Sequence, residues 1–288
     1  MNNLDRFKNK IIVSKTSRLC SDAVANFFLK EYISLVYFSE IKNVGDLVSP
    51  YLVEKITGKM VRRAQTSIFP RLLGVGSILG SGSFNSYIWG SGSIDGQFPK
   101  NELDPKKIFA VRGKRSLDLL KSKYELSARL PLGDPALLMP KFFKPKPNVK
   151  FTLGIIPHYV DFDKAKSLLE GCESDYTIID VRQDPETFIS KISECEFIIS
   201  SSLHGLILAD SYQIPNKWVQ FSDLIVGGTW KFHDYYSVTD NYSPSALQIC
   251  QVEDIINTVK NPNKVFQVSG FKYSLDNLHD SFPVNVFY

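Results

Sequence analysis

From Phe151 to Phe221 the chain alternates short apolar runs with amphipathic stretches so regularly that few architectures can hold it. The runs at 151–156, 177–181, 197–200 and 217–221 read as strands, and the stretches at 162–169, 185–194 and 205–212 read as helices. Only a few residues join each helix to its strands, so the strands run parallel and the helices are crossovers packed on the sheet. The first half follows the same rule, with strand-like runs at 33–38, 72–75, 87–89 and 108–111 and helical patterns at 46–57 and 114–123. Between the halves lies "PKFFKPKPNVK", Pro140 to Lys150, whose three prolines and four lysines read as a linker with exposed aromatics at Phe142 and Phe143. The expected architecture is α/β: two Rossmann-like, doubly wound domains, 1–145 and 146–288, facing one cleft, with a C-terminal segment packing back on the first. A length of 288 residues is long for one core and suits two. There is no internal repeat and no low-complexity tract.

Composition narrows the partners. A formal charge of +4 suits an anionic substrate or an anionic membrane surface and lacks the dense basic clustering of a nucleic-acid binder. Cys20, Cys172, Cys195 and Cys250 are scattered without metal-ligand spacing and read as reduced packing residues. The opening "MNNLDRFKNKIIVSK" has charges but no apolar core of a signal peptide, and no run approaches the ~20 apolar residues that span a bilayer. The expected location is the cytoplasm.

Chemistry concentrates where strands give way to helices. In "ISSSLHGLILADSYQIP", Ile199 to Pro215, a buried run feeds Ser200, Ser201 and Ser202, then Leu203, His204 and Gly205 open a helix. Unpaired amides and the helix dipole there favour phosphate or carboxylate, the hydroxyls add donors, and Gly205 lets a ligand come close. A histidine in that loop can pair with the anion and move a proton near neutral pH. The plainer alternative is an N-cap serine beside a half-buried histidine. "KNVGDLVSPYLVEKITG" puts Gly45 and Asp46 at a similar turn, with Asp46 either a working carboxylate or the helix cap. "FAVRGKRSLDLL" places Arg112 beyond a strand, able to fork a carboxylate or phosphate; a surface salt bridge is the alternative there, and the more natural account of Arg115. "LGIIPHYVDFD" brings His158 to the same edge as His204, while Asp161 and Asp163 read as helix capping and first-turn charge rather than metal ligands. In "GGTWKFHDYY", Trp230, Lys231, Phe232 and Asp234 read as packing or as a sugar platform, with Lys231 the member placed nearest an anionic ligand.

Taken in order, "NVGDLVSPYLVEKITG", "GVGSIL", "IWGSG", "AVRGKRSLDLL", "LGDPALL", "LGIIPHYVD" and "ISSSLHGLILADSYQIP" resemble the polysaccharide pyruvyltransferase family. The resemblance implies a fold similar to GT-B glycosyltransferases, with an acceptor side in the first domain and a phosphoenolpyruvate side in the second. It implies transfer of the enolpyruvyl carbons of phosphoenolpyruvate to a sugar of a polysaccharide or its lipid-linked precursor, forming a pyruvate ketal and releasing phosphate. By position, His204 matches the family histidine and Arg112 the anion-binding arginine. Asp46 is assigned to acceptor activation, and Asn43, Gly45, His158, Ser201, Ser202, Leu203, Gly205 and Lys231 to substrate contact. Relatives can carry a basic residue where this chain has Ser202, so the phosphate contacts do not carry over one for one.

That chemistry asks for a proton donor, a base and anion-binding groups, and requires neither metal nor redox cofactor. If the acceptor is lipid-linked, the lysines of the linker would add a peripheral contact with an anionic inner membrane surface. Two other readings use the same cleft. A nucleotide-sugar glycosyltransferase would need an acidic ribose partner late in the second domain, where only Asp223 is on offer; the other is a non-catalytic glycan- or anion-binding module.

Overall fold

The computed structural model describes residues 15–23, 32–146, 148–170, 175–241 and 244–287. The first half holds a sheet of β1 (Tyr32–Val36), β2 (Met60–Arg63), β3 (Arg71–Leu73), β4 (Ser86–Trp89) and β5 (Ile108–Ala110). Helices α1 (Val44–Thr57) and α2 (Lys114–Lys121) accompany it. The second half contributes β6 (Phe151–Ile156), α3 (Phe162–Leu168), β7 (Tyr176–Ile178), α4 (Pro185–Ile192), β8 (Cys195–Ser200), α5 (Leu203–Ser211), β9 (Asn216–Gln220), α6 (Trp230–Tyr236) and β10 (Leu247–Gln248). Helices α7 (Val252–Lys260), α8 (Pro262–Val265), α9 (Leu275–Asp280) and α10 (Val284–Phe287) follow. Expected element ends differ from these by at most three residues.

Both sheets are parallel and share one order. The first runs β2-β1-β3-β4-β5 and the second β7-β6-β8-β9-β10, so each is doubly wound about its first strand. In the second, Leu153 pairs with Phe197 on one side and Tyr176 on the other, and Leu153, Ile155 and Ile156 are fully buried. An apolar run covered on both faces is what makes such a central strand. In each sheet the order reverses beside the first strand, and the loops leaving the two strands flanking that point form a crevice. The two crevices meet, with Gly45 of the first half packed against the His204 ring of the second.

The halves share a core rather than meeting at a wet seam. One apolar cluster runs from Ile33, Leu52 and Trp89 through Leu137 to Phe188, Leu206 and Phe282. The first amide of α1, Val44, donates to the Val181 carbonyl at 2.7 Å, and the Tyr51 hydroxyl donates to Glu186 Oε1 at 2.7 Å. Residues 271–287 return to the first half, where Trp89 Nε1 donates to the Leu278 carbonyl at 2.9 Å and Phe282 packs edge-on against the indole.

The linker departs from its sequence reading. Phe142 and Phe143 turn inward against the main cluster, because a short 3₁₀ helix, Pro135–Lys141, lies along α5 and carries them there. The Tyr212 hydroxyl donates to the Phe143 carbonyl, Lys141 pairs with Asp276 and Lys150 with Glu194. Of the cysteines, Cys195 is buried as expected and burial pushes its thiol up to about 12, but Cys20 and Cys250 are exposed and do not pack. Cys172 and residues 1–14 lie outside the described residues. Among the described residues no helix is long and apolar enough to cross a membrane.

Candidate functional site

His204 sits in the first turn of α5, where β8 ends at the crevice of the second sheet. Ser202 is the N-cap but makes no side-chain capping bond, so the first-turn amides keep their donors. Ser200 fastens the turn instead: its hydroxyl lies 3.0 Å from the Ile156 carbonyl and 2.9 Å from that of Ser202, and accepts from Ser202 N at 3.0 Å. What comes close to Gly205 is the protein itself, since a Cβ there would lie 2.4 Å from Ser200 Oγ. Leu203 is buried in the core, so its side chain is not offered to a substrate.

From the first half, the start of α1 closes over the imidazole. A Cβ on Gly45 would stand 2.1 Å from His204 Nδ1, so the ring lies flat on a backbone that only glycine leaves open. Asn43, not Asp46, is the cap of α1: its Oδ1 accepts from Gly45 N at 3.0 Å. Asp46 is thereby free of capping. Burial pushes its carboxyl up to about 6, against the pull of His204, the Phe38 backbone amide and Lys231. On the other side of the ring, His204 Nε2 lies 3.6 Å from Asp134 Oδ2, and neither buried atom has a hydrogen-bond partner. Asp134 leads the 3₁₀ helix, its Oδ1 accepting from Ala136 N at 3.0 Å.

Lys231, on α6, completes the cluster. Burial and the Arg112 charge lower it to about 8, with Asp46 pulling the other way, and its Nζ donates to the Val226 carbonyl at 3.2 Å. His158 follows β6; burial, then Lys231, depress it to about 4, which leaves its ring neutral near pH 7. The His158 amide donates to Ser201 Oγ at 2.8 Å, and Ser201 donates onward to Asp161 at 3.2 Å. Asp161 also accepts from Ser222, so this buried carboxylate braces three loops at the crevice instead of capping a helix.

Arg112 is placed differently from the open fork the sequence suggested. It is fully buried, and the carboxylate it forks belongs to Asp234, at 3.0 Å from both Nε and Nη2. Its other donors meet Ser77 Oγ at 2.6 Å and the Ser93 carbonyl at 2.7 Å, while Asp234 also accepts from the Ser116 amide and hydroxyl. A surface salt bridge is therefore excluded. The pair ties α6, and with it Lys231, to the first half. Phe232 stacks on Trp218 at 4.4 Å, which is packing, and Asp223 lies on a neighbouring loop accepting from Gln220 Nε2.

The structure thus brings Gly45, Asp46, His158, His204 and Lys231 together, uses Asn43, Ser201 and Gly205 within the scaffold, and sets Arg112 behind it. Asp134 was missed: "GDPALL" reads as a plain Asp-Pro cap, and 70 residues separate it from the histidine it faces. Among the described residues no group of three or more His, Cys, Asp or Glu side chains is placed to hold a metal ion.

Known proteins resemble this chain in the same region. A sequence profile described as polysaccharide pyruvyl transferase matches residues 67–219. The "Uncharacterized protein L143" of Acanthamoeba polyphaga mimivirus is 33% identical over 218 residues, covering 73% of this chain and 75% of that protein. The "Succinoglycan biosynthesis protein ExoV" of Rhizobium meliloti is 28% identical over 179 residues, or 57% of this chain and 52% of that protein. Among solved structures, the wall teichoic acid polymerase TagF aligns over 100% of this chain and 93% of that one, at 10% identity and a TM-score of 0.43. With the profile spanning more than half of the chain and a relative one-third identical over most of both proteins, the chain belongs to the polysaccharide pyruvyl transferase family and is an enzyme of that class.

Proposed function

We propose that the enzyme takes phosphoenolpyruvate as donor and builds a pyruvate ketal on a sugar of a polysaccharide or its lipid-linked precursor, releasing phosphate, with no metal or redox cofactor taking part. The observation that carries this reading is the juxtaposition, at the facing crevices of both sheets, of His204, a carboxyl near 6 at Asp46 and a lysine near 8 at Lys231 beside the open amides of α5. Phosphoenolpyruvate offers two anionic groups, and the donors able to meet them are Lys231 and the α5 amides. Arg112 serves from behind, holding α6 through Asp234.

In the first step Asp46 takes the proton of an acceptor hydroxyl, whose oxygen bonds to C2 as His204 gives a proton to C3. The enol double bond becomes a methyl-bearing, oxygen-substituted centre that still carries phosphate. In the second, a neighbouring hydroxyl bonds to C2, the C2–O bond to phosphate breaks, and the second hydroxyl's proton leaves with the phosphate. Each well-placed proton-transfer group contributes ~10²–10⁴-fold. The first half is the acceptor side and the second the donor side. Lys144 and Lys146 stay exposed for a peripheral contact with an anionic membrane surface, although this segment enters β6 at the end away from the crevice.

The test is incubation with phosphoenolpyruvate and saccharide fractions, reading free phosphate and an acceptor mass raised by one pyruvate less water. His204→Ala should stay folded and lose at least ~10²-fold in turnover. Phosphoenolpyruvate left intact with every acceptor, or a folded His204→Ala variant at near-normal turnover, overturns the reading.

A further inference from the structure

The geometry points to Asp134 as the positioning residue of His204, fixing the imidazole with its Nε2 protonated so that Nδ1 is the nitrogen that works on substrate. The two atoms face each other across 3.6 Å, both enclosed, and neither has another partner among the described residues. A buried carboxylate oxygen and a buried ring nitrogen are each costly to leave unmatched, and a proton on the nitrogen gives a pair facing at 3.6 Å, just beyond hydrogen-bond length, the means to satisfy both. That proton belongs on Nε2, because an ionised carboxylate only accepts.

Three features fix the arrangement. Asp134 cannot swing away, since its other oxygen holds the Ala136 amide at 3.0 Å and Pro135 follows it directly. The ring cannot tilt away, because its face lies flat against the Gly45 backbone, which leaves the in-plane direction at Nδ1 clear of that contact. The carboxylate and the ring come from different halves, so the pair exists only when the two sheets are packed together. A group held in this way keeps its Nε2 proton in both charge states, and Nδ1 alone gains or loses one. When Nδ1 gives its proton to donor C3, the positive charge lost from the ring is one that Asp134 had stabilised, and the same nitrogen is ready to be reprotonated from water. Asp134 itself touches no substrate.

The decisive variant is Asp134→Asn. The amide oxygen still accepts from Ala136, so the helix start survives, but the amide nitrogen now donates to Nε2 and moves the ring proton to Nδ1. Long-range proton–nitrogen correlation spectra above neutral pH distinguish the two forms, and the chain has only four histidines to assign. The expected result is Nε2–H for His204 in the parent protein, Nδ1–H in Asp134→Asn, and unchanged thermal unfolding. An Nδ1–H ring in the parent, or the same form in both proteins, overturns the proposal. The kinetic arm rests on phosphoenolpyruvate being the donor: kcat should fall roughly 10²–10⁴-fold with donor KM nearly constant. A switched ring proton with kcat unchanged also overturns the positioning role. The spectra need no substrate, so a wrong donor assignment would show in the kinetics alone.

Discussion

A single hydrogen in place of a methyl at position 45 decides whether His204 fits. Alanine there would improve the first turn of α1 by about 1 kcal/mol in helix preference, so Gly45→Ala should not unfold the protein. Its Cβ would nonetheless stand 2.1 Å from His204 Nδ1, and the ring must move. Misplacement of a reacting group by about 1 Å costs roughly 10²-fold, so turnover should drop by that order while the melting temperature holds. An active Gly45→Ala enzyme would show that the ring has room. The neighbouring titrations set the pH range. Asp46, raised by burial to about 6, must be ionised to take a proton, and Lys231, lowered by burial to about 8, must be charged to hold an anion. Turnover should therefore rise through about pH 6 and fall through about pH 8. Asp46→Asn should remove the acid limb along with most of the rate. A flat profile across both values would separate these groups from the reaction.

Between elements, the fully buried Arg112–Asp234 pair links the start of α2 to α6. Removing one partner of a buried pair leaves a bare charge inside, at a cost of about 3–5 kcal/mol. Arg112→Ala should thus lower the denaturant midpoint clearly, and a loss of donor affinity with full stability would instead put Arg112 in contact with the donor. This pair also shows what a sequence conceals. The strand ending at Ala110 and the helix opening at Lys114 are legible, because apolar runs and their turns are local signals. That Asp234 would occupy the fork is not, since the two lie 122 positions apart and both ends look like surface charge. The same holds for β2, whose "MVRR" lies at the sheet edge, pairs on one side only and keeps too little apolar pattern to stand out. The turn that carries His204 is legible because its signal is local; the placement of Asp134 and of the inward Phe142 and Phe143 is not, because only the packing of α5 brings them there.

For the whole molecule, two sheets wound in one order and sharing one apolar cluster explain why Asp46 and His204, 158 positions apart in the sequence, still meet. Fixed packing does the work that a hinge does in looser two-domain proteins. The returning segment that covers Trp89 has its own consequence for how the molecule is made. Leu278 and Phe282 leave the ribosome almost two hundred residues after the indole they cover. At the usual ~5–20 residues per second, the first sheet waits ten seconds or more with an aromatic face uncovered. During translation that face stays open until the returning segment, made almost two hundred residues later, folds over it.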